Sequence, residues 1–291
     1  MSYTTIRDFF ADALSLDVST GFLAKQARKA SDAMAKPYDE LVKRLPNEPH
    51  LHIDETGWKE NGKRHWVWCL RAGDFTVFRV DPSRGSAVLE KLLGKNYAGV
   101  ISCDFWSAYQ KFKRLASAVL QLCWAHLIRE IKFLAQSKDK NVANYGKRLL
   151  RYTRAMFSTI HQHGKISPLA WKRQMNRHRR GILKTSQRSV PDDQDAKNIS
   201  ARLLKQEADY FRFIDRGIPP TNNSGEQTIR KLVLDRKVTQ GTRSDWGNRW
   251  QERFWSILTT CEQRGRNVMT FLQSCVKAFI HGLPPPSLSL S

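Results

Sequence analysis

Three acidic residues have the type and setting for metal-assisted phosphoryl transfer. Asp54 follows the apolar pair Leu51 and Ile53 in HIDETGW, which predicts a carboxylate at the end of a strand, near a sheet rim. Asp104 stands in the same relation to the apolar run VISC, and Glu226 opens a predicted helix behind the capping candidates Asn222, Asn223 and Ser224. Carboxylate oxygens suit hard divalent cations such as Mg²⁺ or Mn²⁺. A pair of these ions about 4 Å apart clamps the attacking and leaving oxygens of an in-line displacement. Taken singly, each acid has a plainer role: Asp54 begins a turn, Asp104 stops a strand, and Glu226 favours a helix dipole. Together, on a basic chain, they predict a metal site.

Cations and aromatic rings accompany the acids. Arg230 and Lys231 follow Glu226 on its helix, where they are candidates for phosphate contact, with an intrahelical Glu226–Arg230 ion pair as the competing reading. Arg236 and Lys237 are further phosphate candidates. Trp106 and Tyr109, just beyond Asp104, are candidates to approach DNA, whereas Trp66 and Trp68 share a strand face and read as core. His126 follows Cys123 at a spacing that suggests half of a zinc site. No second pair of ligands accompanies it, so a structural or substrate-positioning role is expected. The run His178, Arg179, Arg180 reads as a solvated face, with DNA backbone contact as its alternative.

These residues need elements to hold them. Residues 1–45 read as helical, with two periodic segments over 3–34 that fit a helix-turn-helix or, preferably, a plain hairpin. From His50 the pattern turns to short β-branched and aromatic runs separated by Asn61-Gly62 and Gly73-Asp74, a three-strand antiparallel meander. A helix over Ser86–Leu93, a strand over Gly99–Asp104, a helix over Ser107–Arg114 and a strand over Ala118–Cys123 complete an α/β segment spanning 50–123. Residues 124–217 show only basic helical periodicity, an insertion broken at Ser186–Asn198. Residues 218–282 hold the Glu226 helix and two more, and the proline-rich stretch 283–291 reads as a disordered tail.

Composition narrows the partners. Among 291 residues, 49 Lys and Arg face 27 Asp and Glu, a formal charge of +22 that calls for a polyanion, most simply nucleic acid. No apolar run reaches membrane-spanning length. The five cysteines are odd in number and set in hydrophobic stretches, which argues against disulfides, and the opening residues lack the apolar core of a secretory signal, so a cytoplasmic protein is expected.

Four ordered segments, DETGWKENGKRHWVW, DFWSAY, CWAHLIRE and NNSGEQTIRKLVLDRK, resemble the catalytic segments of the insertion sequence 66 family of bacterial transposases. The resemblance covers nearly the whole chain. It implies a ribonuclease H-like fold with a helical insertion, an Asp-Asp-Glu triad at Asp54, Asp104 and Glu226, and divalent-metal-dependent cleavage and strand transfer of transposon ends. It also implies DNA as partner, together with a homo-oligomer and accessory transposition proteins. The cysteine-rich region common upstream in that family has no counterpart here, so the chain reads as a truncated copy. Two alternatives follow: a non-catalytic DNA-binding remnant or regulator, and a structure-selective nuclease of the same fold.

Overall fold

The Asn61-Gly62 pair forms the turn its sequence predicts. Both residues have positive φ (46° and 78°), the conformation of a two-residue hairpin, and they join β1 (His50–Glu60) to β2 (Lys63–Arg71) in an antiparallel register that sets Glu60 opposite Lys63 and Asp54 opposite Cys69. β3 (Thr76–Asp81) pairs antiparallel with β2 beyond the Gly73-Asp74 turn. The structure, a computed structural model, describes residues 2–288. The chain divides into two compact units: Met1–Gly99, Leu115–Ser117 and Ser224–Ser291 form the first, and Val100–Arg114 with Ala118–Asn223 the second.

In the first unit, α1 (Tyr3–Leu14) and α2 (Thr20–Ala33) are capped by Ser2 and Ser19. α3 (Ala35–Arg44) buries Pro37, Tyr38 and Leu41, and α4 (Ser86–Leu93) follows the meander. In the second unit, β4 (Val100–Cys103) and β5 (Val119–Leu122) run parallel, linked through α5 (Ser107–Leu115). The helical stretch comprises α6 (Trp124–Ala135), α7 (Lys140–Ile160), α8 (Pro168–Gln187), α9 (Gln194–Lys205), α10 (Glu207–Tyr210) and α11 (Phe213–Arg216). The chain returns to the first unit in α12 (Asn223–Thr239), α13 (Asp245–Gln263) and α14 (Val268–Ile280). The class is mixed α/β, with antiparallel and parallel pairing among the five strands of the described residues. No helix among the described residues is long and apolar enough to cross a membrane.

Helix α13 seals an edge of the meander. The N–H groups of Thr76, Phe78 and Val80 on β3 donate to Thr260 Oγ1, Ser256 Oγ and Glu252 Oε1 at 3.1, 2.9 and 2.8 Å. Four residues of helix rise about 6 Å and two residues of strand about 6.6 Å, so acceptors spaced by four can meet donors spaced by two. An exposed edge would otherwise be a template for aggregation.

In the second unit, Gly146 lets α7 approach α6. A Cβ there would lie 2.4 Å from the Ala135 backbone nitrogen, which accounts for a glycine in a helix interior where it costs about 1 kcal/mol. The buried Asp209 of α10 accepts from Lys113 Nζ of α5 at 2.6 and 2.8 Å.

Two expectations change. β1 continues six residues beyond Asp54, because DETGWKE goes on pairing with β2 up to the Asn-Gly turn; Asp54 is mid-strand, not at a strand end. The proline-rich stretch, expected to be disordered, is anchored over its described part. Leu288 is buried, its N–H donates to Glu40, and its carbonyl accepts from Arg264; residues 289–291 of that expected tail lie outside the described residues. Three consecutive prolines leave this stretch little conformational freedom to lose on docking.

One prediction arises at the start of β1. Burial, and secondarily His52, whose ring centroid lies 4.6 Å away, lower the His50 pKa from 6.5 to about 4. A folded-state pKa below the unfolded value means that the unfolded chain takes up the proton first. Stability therefore falls as pH drops from about 6.5 towards 4. Denaturant unfolding at pH 7 and pH 5 should show a loss of about 1–2 kcal/mol that His50→Gln removes.

Candidate functional site

In the first unit, Asp54 and Glu226 are carried by elements that share one core. Side chains directly opposite in an antiparallel pair project from the same face, so Asp54 lies on the face of Cys69. That face carries Trp58, Val67, Cys69, Phe78 and Val80, against which α12 packs Ile229 and Leu232. Burying each of these two aliphatic side chains contributes about 2 kcal/mol. Burial, and then the negative charge of Asp54, push the Cys69 thiol pKa well above its ordinary value. Two polar contacts set the direction of α12: Arg71 Nη1 donates to Thr228 Oγ1 (3.2 Å), and Arg236 Nη1 to Thr56 Oγ1 (3.1 Å). The helix thus follows β1 from its His52 end, opposite Arg71, towards Thr56, with Glu226 in the first turn.

The half-buried Asp54 accepts the Glu55 backbone N–H on Oδ1 (3.0 Å), which fixes its carboxylate plane. In the second unit, Asp104 directly follows β4 and accepts the Trp106 N–H on Oδ1 (3.1 Å), an Asx turn of the same orienting kind. Half-buried carboxylates held in this way have the hard oxygen donors that Mg²⁺ or Mn²⁺ takes, so their chemistry fits such an ion. Asn222 occupies the position before α12 and is buried. Its N–H donates to Cys123 Sγ (3.1 Å), while the Trp124 N–H donates to the Pro220 carbonyl (3.1 Å), so residues 220–222 are tied to the start of α6.

The cations divide by environment. Arg230 and Lys237 are exposed; Lys231 pairs with Glu262; Arg236 also donates to the Gly57 carbonyl. Arg236 and Lys237 line a cleft of about 430 Å³ with Lys59 and Arg64, two cations that sequence reasoning missed. His126 is half-buried in the first turn of α6. Trp106 is 37% exposed. Tyr109 is not: it is fully buried in α5, because the Ala108, Tyr109, Phe112 stripe of that helix faces the core, and it has no surface to offer DNA. Trp68 is core, whereas Trp66 is half-buried beneath the guanidinium groups of Arg64 and Arg84, 4.8 and 4.6 Å from its ring centroid.

A search among curated proteins finds no match. The sequence model of the Transposase IS66 family matches residues 1–249, a span that contains Asp54, Asp104 and Glu226. With so much of its length matched, the chain belongs to the IS66 family of transposases.

Proposed function

We propose that this chain carries out metal-dependent cleavage and strand transfer of transposon-end DNA on a ribonuclease H-like core, with Asp54, Asp104 and Glu226 as the metal-holding acids. The observation that carries this reading is the shared core of β1 and α12, which sets a mid-strand aspartate and a first-turn glutamate on two elements packed face to face. The order of the elements supports the fold: a meander, then a parallel pair, then helices, then α12. When bound, divalent ions supply an activated water and stabilise the charge that develops on the phosphate. The three carboxylates would hold those ions, and the Glu55 and Trp106 backbone amides orient two of them. Arg230 and Lys237, exposed on α12, bind DNA phosphates. Metal-dependent cleavage and joining of labelled end DNA by the purified chain tests the reading; binding without either product would mark a DNA-binding remnant instead.

Helices α7 and α8 supply backbone affinity. They carry five and six Lys or Arg respectively and no Asp or Glu. Lys147, Arg151 and Arg154 recur at helical spacing on the exposed face of α7, opposite its buried Leu149, Leu150 and Met156. Arg151→Glu with Arg154→Glu should weaken duplex binding more than tenfold at low salt. The double variant should also lower the slope of log affinity against log salt by about 2, measured by anisotropy titration.

A further inference from the structure

Helix α6 buries Trp124, Leu127, Ile131 and Leu134 along one stripe, and Phe133 lies off it, 69% exposed. Phe105, the residue after Asp104, is 43% exposed. Both rings line a groove of about 650 Å³ in the second unit, between α6 and α9, floored in part by Ile199. Arg202 lies over the Phe105 ring, 4.9 Å from its centroid, and is held there by its ion pair with Glu130. Arg129 and Lys205, both exposed, stand in the groove wall.

We propose that this groove takes an unstacked nucleobase from the DNA strand at the Asp104 site, its flat face against Phe105 and Phe133 and its flanking phosphates on Arg129 and Lys205. The proposal rests on the reading of the chain as a DNA-cleaving enzyme and adds to it how the strand is gripped. Two exposed aromatic rings match the chemistry of single-stranded nucleic acid, whose bases offer π-faces and whose backbone offers charge, and the three cations of the groove, Arg129, Arg202 and Lys205, outnumber its two acids, Glu130, which is paired with Arg202, and Asp195. The planar Arg202, fixed by Glu130, adds a further stacking surface. Because Phe105 follows Asp104 directly, a base seated there draws its own backbone towards the acid.

The test needs no catalysis, so its failure is separable from failure of the cleavage reading. The purified chain is titrated without divalent metal against two labelled duplexes, one fully paired and one with a single unpaired adenine. The wild type should prefer the bulged duplex about tenfold. Phe133→Leu and Phe105→Leu should each remove most of that preference with paired-duplex affinity unchanged, and Phe133→Trp should restore it. Equal wild-type affinity for the two duplexes, or a preference that survives both leucine variants, overturns the proposal. A Phe133→Leu variant that changes the oligomeric state and leaves the preference intact also overturns it, and marks the groove as a protein interface.

Discussion

Asp54→Asn and Glu226→Gln should each lower the single-turnover rate of Mg²⁺-dependent strand cleavage by about 10³-fold, some 4 kcal/mol of transition-state stabilisation, while duplex affinity stays within about twofold. Both substitutions keep size and an acceptor oxygen. The amide oxygen that replaces the Asp54 carboxylate would still receive the Glu55 N–H, and the substitution at 226 leaves Ile229 and Leu232 seated on the sheet. What is lost is a negative charge on a hard oxygen donor, and with it the ability to hold a divalent ion against a phosphate. In the proposed reading, duplex affinity comes from the exposed cations of α7 and α8 and from Arg230 and Lys237, which neither substitution touches. Cleavage within tenfold of wild type in either variant would remove that residue from the metal-holding set.

Glu252→Ala should destabilise the first unit by about 3–5 kcal/mol, the cost of breaking a buried charge network. Glu252 is 1% exposed, accepts the Val80 N–H, and pairs with Arg249 at 2.9 Å and Arg79 at 3.5 Å. Its removal takes a buried carboxylate from two guanidinium groups, leaving Asp245 to Arg249 and Tyr38 to Arg79, and opens the edge of β3. Burial raises the Glu252 pKa, so the folded state holds that proton more tightly than the unfolded chain does, and acidification relieves this group where it penalises His50. Glu252→Gln, which keeps the acceptor for Val80 and loses the charge, should cost less than the alanine variant. Urea unfolding followed by tryptophan fluorescence measures both; a loss below about 1 kcal/mol for Glu252→Ala would mean that β3 is held without this contact.

What local chemistry determines can be read from the residues. Asn61-Gly62 specifies its turn by backbone conformation alone, and the apolar run VISC before Asp104 ends where the strand ends. The position of Asp54 within β1 is not legible in this way. The polar residues after it resemble a terminus, and only pairing with β2, a tertiary fact, keeps the strand going. Tyr109 escapes sequence reasoning for a related reason. Its neighbour Trp106 is exposed, yet α5 turns Tyr109 inwards, and which helical stripe faces the core depends on what packs there. The Thr260, Ser256 and Glu252 ladder has a period of four that any helix face shares, so its purpose emerges only beside β3. Phe133 does leave a trace, an aromatic residue off the buried stripe of α6.

That Asp54, Asp104 and Glu226 grip the same divalent ions is tested most directly by iron-mediated cleavage of the polypeptide. Fe²⁺ exchanged for Mg²⁺ generates radicals that cut the chain next to its ligands in the presence of ascorbate and peroxide. Cuts should fall beside all three residues, be suppressed together by excess Mg²⁺, and vanish together in Asp104→Asn. Cuts confined elsewhere, or cuts beside Asp54 and Glu226 that persist unchanged in Asp104→Asn, would contradict a shared site.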